Sequence, residues 1–213
     1  MQKEHYQDLG DELNIEISGN TNMDEGTAAY GMSPGDRLIF VEGLARAKMI
    51  SLKEQWSQFP DDDIDWWELD RVSRGLEKYK KANGLVDFTD MLTLFHKQGF
   101  IPKLKVLFVD EAQDLSKLQW SVVNSVAALA ENVFIAGYDD QSIFGWRGAD
   151  RSNIGLIISH LEADYKELGI NFRSDQIIVE AANAVIRQET NHRDKKIHAD
   201  SKELGKIYLN SYE

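Results

Sequence analysis

The sequence predicts an α/β fold with a parallel sheet, and three successive segments carry that prediction. An apolar strand is expected at 105–109, followed by an amphipathic helix at about 116–130 whose apolar residues recur every fourth position. A second short apolar strand is expected at 133–136. A strand, a helix and a strand in such close succession form a βαβ unit, whose two strands run parallel. Ligands of such sheets bind beyond the carboxyl ends of the strands, where Asp110 and Gly137 fall.

The chain before this unit is predicted to be mainly helical. Residues 1–36 are polar and rich in glycine, asparagine, aspartate and threonine, so we expect an irregular or partly ordered lead-in there. Apolar residues then recur at helical spacing over 40–59, and again in a helix after the acidic run at 61–65. We expect that run to be a solvated loop or helix entry rather than a cation site. Three tryptophans are expected in the core of this helical region: Trp56, Trp66 and Trp67.

Shorter elements are predicted after residue 150. A helix at about 152–161 leads to a short strand near 164–168, and the pattern at 206–209 also fits a strand. Between them, Ser174 is expected to cap a helix whose first turn contains Asp175, where the helix dipole favours a carboxylate. The buried face of that helix is predicted from its apolar spacing: Ile178, Ala181, Ala182 and Val185.

The composition argues against several classes of protein. The 213 residues carry a net charge of −12, which argues against a broad basic nucleic-acid surface but allows a narrow groove with a few arginines and aromatics. No apolar run reaches the roughly 18 residues of a membrane span, so no membrane partner is expected. The absence of cysteine rules out disulfides and thiolate metal sites, and it fits a cytoplasmic location. The five histidines show no metal-ligand spacing.

Two adjacent carboxylates follow the first predicted strand. Residues 106–114 are Val-Leu-Phe-Val-Asp-Glu-Ala-Gln-Asp, so an apolar strand ends abruptly in Asp110 and Glu111. Carboxylates at a strand tip suit holding Mg²⁺ and activating a water beside a nucleotide phosphate. A core strand followed by an acidic turn is the alternative, and it would suffice for a lone Asp-Glu pair. The longer motif, together with the segment at 136–149, favours a nucleotide site.

That second segment contains a polar hinge, two aromatic residues and an arginine. The side chain of Gln141 has donor and acceptor groups and can contact both a terminal phosphate and an attacking water. Phe144 and Trp146 lie two positions apart beside Arg147 in a glycine-flanked stretch. Exposed aromatics next to an arginine suit stacking on single-stranded bases, at ~1–3 kcal/mol per base. A turn that packs these aromatics inward is the alternative, and the residues alone do not decide between the two.

These motifs closely resemble those of the UvrD/Rep family of superfamily 1 DNA helicases. DEAQD is followed some 25 residues later by DDQSIFGWRGA and then by NFRS, and VDFTDML at 86–92 is similar to the family's DFDDLL segment. The resemblance covers residues from about 84 to 185 and implies a partial RecA-like P-loop NTPase domain with a parallel sheet. It divides the chain into a mainly helical insertion region with its lead-in (1–83), the later half of a first RecA-like motor domain (84–162) and the beginning of a second (163–213).

The resemblance also implies ATP and Mg²⁺ as cofactors and roles for individual residues. Asp110 would hold Mg²⁺, and Glu111 would polarise the hydrolytic water. Gln141 would sense the γ-phosphate, and Arg173 would reach the same phosphate from the second motor domain. Phe172 would stack on the adenine, where the family usually has tyrosine. The residues implied to hold the tracking DNA strand are Phe144, Trp146 and Arg147.

The implied activity is ATP-driven 3′-to-5′ translocation on single-stranded DNA, with unwinding at a duplex junction. One departure qualifies it, since the sequence contains no G-x-x-x-x-G-K-[ST] phosphate loop. The nearest segment, Leu204-Gly205-Lys206-Ile207, lacks the first glycine and the hydroxyl residue. We therefore expect a piece of a helicase whose missing portions, covalent or on a separate chain, supply that loop. The isolated chain is expected to be inactive.

Two other classes of function stay open. A non-hydrolysing module could use the aromatics to bind single-stranded DNA. Such a module has no physical use for the retained set of Asp110, Glu111, Gln141 and Arg173. A regulatory fragment could instead associate with an intact helicase through its acidic surface. The residues do not distinguish DNA repair from replication or recombination.

Overall fold

The computed structural model describes residues 1–19, 32–59, 64–142, 144–145, 148–149, 155, 163–188 and 195–209. The chain divides into two compact units: unit 1 comprises residues 1–137 and 143–150, and unit 2 comprises residues 138–142 and 151–213. The helices are α1 (Lys3–Leu13), α2 (Pro34–Lys48), α3 (Leu52–Gln58), α4 (Trp66–Asn83), α5 (Phe88–Gln98), α6 (Lys117–Ala127) and α7 (Gln176–Ile186). The strands are β1 (Leu104–Val109), β2 (Ala130–Ile135), β3 (Ile170–Asn171) and β4 (His198–Ala199). Within the described ranges, no helix is long and apolar enough to cross a membrane.

The first four helices of unit 1 pack around one apolar core. Side chains three or four positions apart on α4 are buried, as their spacing predicts: Leu69, Val72 and Leu76. They cluster with Leu9 of α1 and Val41 of α2, which are also fully buried. The described residues of this region are thus mainly helical, while its assignment as an insertion region stays a prediction.

The irregular lead-in predicted for residues 1–36 is wrong in part, because α1 forms there and buries Leu9. The segment after α1 is fastened to α2 through the fully buried carboxylate of Asp36. That carboxylate accepts hydrogen bonds from the backbone N–H groups of Ser18 and Gly19 at 3.2 and 2.9 Å. The polar composition misled the prediction, because the described part of this stretch buries Leu9 and Ile17 and binds the carboxylate of Asp36.

The single helix predicted over 40–59 is interrupted in the structure. Met49 adopts a left-handed conformation with φ of 55° and ends α2. The Oγ of Ser51 then accepts a hydrogen bond from the backbone N–H of Glu54 at 3.1 Å and begins α3. A left-handed residue other than glycine is uncommon. Hydrophobic spacing cannot reveal it, because the apolar period continues across the break.

Two of the three tryptophans predicted to be in the core lie against it. Trp56 and Trp66 pack on each other with ring centroids 5.7 Å apart, and the indole of Trp56 donates a hydrogen bond to the carbonyl of Ile64 at 2.8 Å. The prediction is wrong for Trp67, which is mostly exposed. Adjacent residues of a helix point about 100° apart, so Trp66 and Trp67 cannot both face the core.

The predicted strand, helix and strand are present in unit 1. The two strands pair in parallel, with Leu104 opposite Ala130 and Val109 opposite Ile135. Between them α6 is capped by Ser116, whose Oγ accepts the backbone N–H of the third helical residue. The parallel α/β arrangement is thus confirmed for this part of the chain, while its assignment as RecA-like stays a prediction.

A network of charged side chains joins three helices of unit 1. The guanidinium of Arg46 on α2 donates to Glu42 at 2.9 Å, to Asp87 at 2.8 and 3.1 Å, and to Asp90 at 3.0 Å. Lys80 on α4 reaches the same two aspartates at 2.9 and 2.7 Å. Burial alone would raise the pKa of Asp87, but hydrogen bonds and charge from Arg46 and Lys80 hold it well below its ordinary value. This network ties α5, and with it the start of the βαβ unit, to the helices before it.

Unit 2 departs from the prediction in several places. Residues 164–168 form no strand, and β3 lies just after them, paired in parallel with β4. Asp175 rather than Ser174 occupies the cap position of α7. In α7 the buried residue is Val179, whereas three of the four residues predicted to be inward are exposed, namely Ile178, Ala182 and Val185. The stretch at 206–209 has no regular structure, and the helix predicted at 152–161 lies outside the described residues apart from 155.

Candidate nucleotide and nucleic-acid site

The predicted carboxylate pair lies at the carboxyl end of β1. Val109 is the last residue of β1, and its carbonyl accepts the N–H of Ala136 at 2.8 Å. Three residues later, the N–H of Ala112 donates to the carbonyl of Ala136 at 3.0 Å. Asp110 and Glu111 lie on the exposed turn between these two anchor points. The backbone is therefore fixed on both sides of the pair while both carboxylates face solvent.

The backbone at Glu111 is unusual. Its φ of 48° places it in the left-handed region, which residues other than glycine occupy at a cost of order 1 kcal/mol. Strained residues of this kind cluster at functional sites, where the surrounding structure holds them in place. Here the two strand-end hydrogen bonds and the short 3₁₀ turn at Ala112–Asp114 hold the residue.

The side chain of Glu111 is oriented by Gln113, a residue of the same motif whose role the sequence does not predict. The amide Nε2 of Gln113 donates to Oε2 of Glu111 at 2.6 Å, and Gln113 is only 2% exposed. Its fixed position limits the rotation of the carboxylate. Burial and the negative charge of Glu111 together raise the pKa of the neighbouring Asp114. The signal for Gln113 was present in the motif, but its burial could be seen only in the fold.

The donor set at Asp110 suits a magnesium ion that is held mainly by phosphate. One carboxylate oxygen of Asp110 accepts a hydrogen bond from the backbone N–H of Glu111 at 2.9 Å. This bond orients the exposed carboxylate, and its second oxygen is the one that would contact the metal ion. Mg²⁺ in nucleotide sites takes one or two carboxylates plus phosphate oxygens and water. In the described part of the chain, no group of three or more His, Cys, Asp or Glu side chains could hold a metal ion. The oriented carboxylate of Asp110 fits a Mg²⁺ ion whose other ligands come from phosphate and water.

Gln141 ends a short 3₁₀ turn that follows β2 and belongs to unit 2. The turn spans Asp139–Gln141 and is closed by a hydrogen bond of 2.9 Å from the N–H of Gln141 to the carbonyl of Tyr138. The side chain of Gln141 is exposed. Lys195 forms ion pairs with both carboxylates of the turn, Asp139 and Asp140.

The proposed strand-binding residues are only partly within the described structure. Phe144 is half-buried, and its carbonyl accepts the N–H of Ala149 at 3.3 Å. Trp146 and Arg147 lie outside the described residues. The choice between base stacking and inward packing of these aromatics thus stays open.

Phe172 and Arg173 follow directly after β3 in unit 2, and both side chains are exposed. The Oδ1 of Asn171 accepts the backbone N–H groups of Arg173 and Ser174 at 2.9 and 2.8 Å. This Asx-type turn fixes the chain direction immediately beyond the strand. Like the acidic pair in unit 1, the two residues occupy the carboxyl end of a parallel strand. Asn171 is a second positioning residue that sequence reasoning missed.

Comparison with known proteins shows that this chain is similar to DNA helicases. Residues 37–162 match a family model described as UvrD/REP helicase N-terminal domain. The ATP-dependent DNA helicase PcrA of Staphylococcus aureus is 34% identical over 138 residues, covering 58% of this chain and 18% of that protein. DNA helicase II of Haemophilus influenzae is 35% identical over 123 residues, covering 54% of this chain and 17% of that protein. The chain thus spans less than a fifth of the length of these relatives.

Proposed function

Because the chain belongs to the UvrD/REP helicase N-terminal domain family, we propose that it is part of an ATP-dependent DNA helicase. In this proposal the complete enzyme hydrolyses ATP to move 3′-to-5′ on single-stranded DNA and to unwind duplex DNA at a junction. The observation that carries the proposal is the Asp110 and Glu111 pair, which lies at a parallel strand end inside the segment that matches the family. The buried amide that orients Glu111 adds to it.

In this proposal, Asp110 and Glu111 have different roles in ATP hydrolysis. Asp110 would hold Mg²⁺, which when bound neutralises charge on the phosphates. Glu111 accepts a hydrogen bond from the attacking water and directs its lone pair toward the terminal phosphorus. Gln113 keeps that carboxylate in one orientation, which matters because misplacement by about 1 Å can cost two orders of magnitude in rate.

The remaining site residues are assigned to phosphate, base and DNA contacts. Gln141 senses the γ-phosphate, and Arg173 stabilises charge that develops on the transferring phosphoryl group. Phe172 stacks on the adenine. The tracking strand is held by stacking and charge, through the side chains of Phe144, Trp146 and Arg147.

We further propose that other segments complete the motor, on the same polypeptide or on a separate chain. The phosphate loop is absent from the sequence, and the sheet of unit 1 has two strands in its described part. Parallel sheets are normally covered on both faces. Here Phe108 and Phe134 stack on each other at 5.1 Å and are largely exposed, which supports a covering partner.

The proposal is tested with a separately expressed family segment that contains G-x-x-x-x-G-K-[ST]. We expect no ATP hydrolysis by the chain alone, and hydrolysis stimulated by oligo(dT) when the two parts are mixed. Binding of oligo(dT) without hydrolysis in any combination would favour a non-hydrolysing binding or regulatory fragment instead.

A further inference from the structure

Lys195 makes the densest set of charged contacts in the described part of unit 2. Its ammonium group pairs with Asp139 and lies 2.7 Å from Oδ2 of Asp140. The same Nζ is 4.4 Å from the ring centroid of Tyr138, within cation–π range. One side chain thus contacts three consecutive residues that are 55 or more positions earlier in the sequence.

These contacts are largely withdrawn from solvent. The side chain of Lys195 is 9% exposed and that of Asp140 is 3% exposed. Burial alone would lower the pKa of Lys195, but its hydrogen bonds and charge interactions with Asp139 and Asp140 raise it, so the ammonium stays charged at neutral pH. A buried pair of this kind is expensive to break from one side, because the remaining carboxylates lose the ammonium that faces them.

The contacts of Lys195 with Tyr138, Asp139 and Asp140 form a clamp on the turn that ends in Gln141. The two carboxylates directly precede this residue, and the turn is closed by the N–H of Gln141 on the carbonyl of Tyr138 and by the N–H of Ser142 on the carbonyl of Asp139, at 2.9 and 3.2 Å. Holding both carboxylates from outside therefore fixes the direction in which the Gln141 side chain leaves the backbone.

The chain continues from Lys195 into the β3–β4 strand pair, and Arg173 lies just beyond the end of β3. Lys195 lies three positions before β4, whose first residue, His198, donates its N–H to the carbonyl of Gly169 at 2.9 Å. The partner strand β3 ends at Asn171, which orients the backbone of Arg173. A short chain of hydrogen-bonded backbone thus connects the ammonium group to the strand end of Arg173.

We propose that Lys195 is a positioning residue that holds the Gln141 turn in register with the β3–β4 sheet, so that Gln141 and Arg173 move as one body. The inference rests on the proposed function for the roles of those two residues, while the clamp itself is a property of unit 2. Loss of the clamp would uncouple the turn from the sheet without unfolding either.

Hydrogen exchange of the full chain tests the clamp without ATP or DNA. In Lys195→Met, the protection of the Gln141 and Ser142 amides should fall by at least ~10-fold, because the buried carboxylates lose their counter-ion. Protection in α7 and in β1–β2 should stay as in the wild type. Lys196→Met is the matched control, since Lys196 is exposed and removes the same charge, and it should leave the turn unchanged. Lys195→Arg should restore most of the protection.

A double variant keeps the test decisive if Lys195→Met is unstable. Replacing Asp140 by Asn together with Lys195→Met removes one of the two carboxylate charges that faced the ammonium, so protection of the turn should recover relative to Lys195→Met alone. Equal loss in Lys196→Met, no loss in Lys195→Met, or loss spread evenly over α7 would each overturn the positioning role. A mixture of the wild-type chain with the phosphate-loop segment that neither hydrolyses ATP nor binds oligo(dT) would sink the proposed function, whereas the exchange result for the clamp would stand by itself.

Discussion

The charged network centred on Arg46 yields the sharpest stability prediction. Replacing Arg46 by Met keeps most of the side-chain volume and removes the only guanidinium that contacts Glu42, Asp87 and Asp90 together in the described part of unit 1. The three carboxylates would then lose the guanidinium. The ammonium of Lys80 would remain within hydrogen-bond distance of two of them, Asp87 and Asp90.

The size of the effect follows from burial. Breaking a buried pair from one side costs about 3–5 kcal/mol. The side chain of Arg46 is still 27% exposed, so the lower end applies, and we expect unit 1 to lose about 3 kcal/mol of unfolding free energy. For a chain of this length that corresponds to a fall of roughly 6–12 °C in Tm.

Urea unfolding followed by tryptophan fluorescence measures this loss. Four of the five tryptophans (Trp56, Trp66, Trp67 and Trp120) lie in the described part of unit 1, so the signal reports mainly on that unit. The matched control is Arg74→Met, which breaks an i,i+4 pair with Asp70 whose arginine is 67% exposed and should cost under about 0.5 kcal/mol. Equal losses in Arg46→Met and Arg74→Met would refute the reasoning that burial makes the network important.

The remaining predictions concern pH, DNA and catalysis. Burial first, and then the charge of Asp87, raise the pKa of Tyr6 to about 12, so its contribution is present below about pH 10 and is lost as pH rises toward 12. The loss should reach at most about 2 kcal/mol after allowance for partial exposure, and urea titrations of Tyr6→Phe should lack it. Trp146→Ala should weaken oligo(dT) binding in an anisotropy assay more than Lys206→Ala, and equal effects would count against stacking. Gln113→Ala should slow ATP turnover of the mixed motor by roughly 10–100-fold at a temperature where the variant is still folded, whereas an unaltered rate would remove its positioning role.

Much of unit 1 was accessible from the sequence because periodicity and local caps act over a few residues. The apolar spacing of α4 and the strand, helix and strand of the βαβ unit required no knowledge of distant contacts. The location of Asp110 and Glu111 followed, since the end of an apolar strand is visible in the sequence. The break at Met49 was not visible, because residues other than glycine rarely adopt the left-handed backbone that Met49 has.

The missed features depend on contacts between distant residues. Asp36 orders the segment after α1 from 18 positions away. Lys195 reaches Asp139 across 56 positions, and no local pattern announces such a pairing. The predicted inward face of α7 failed for a related reason, because apolar spacing shows which residues could be buried but not whether a neighbouring element covers them.

The most direct test of the central claim is the rate of ATP hydrolysis in the presence of single-stranded DNA, measured for the wild-type chain and for a variant at Glu111. The chain is mixed with the phosphate-loop segment and oligo(dT), and its rate is compared with that of Glu111→Gln, which preserves shape and the hydrogen-bonding position but removes the charge. We predict no turnover by the chain alone, DNA-stimulated turnover by the mixture, and a loss of at least ~100-fold in Glu111→Gln. Robust turnover by the chain alone, or a mixture whose rate is unchanged by Glu111→Gln, would contradict the account.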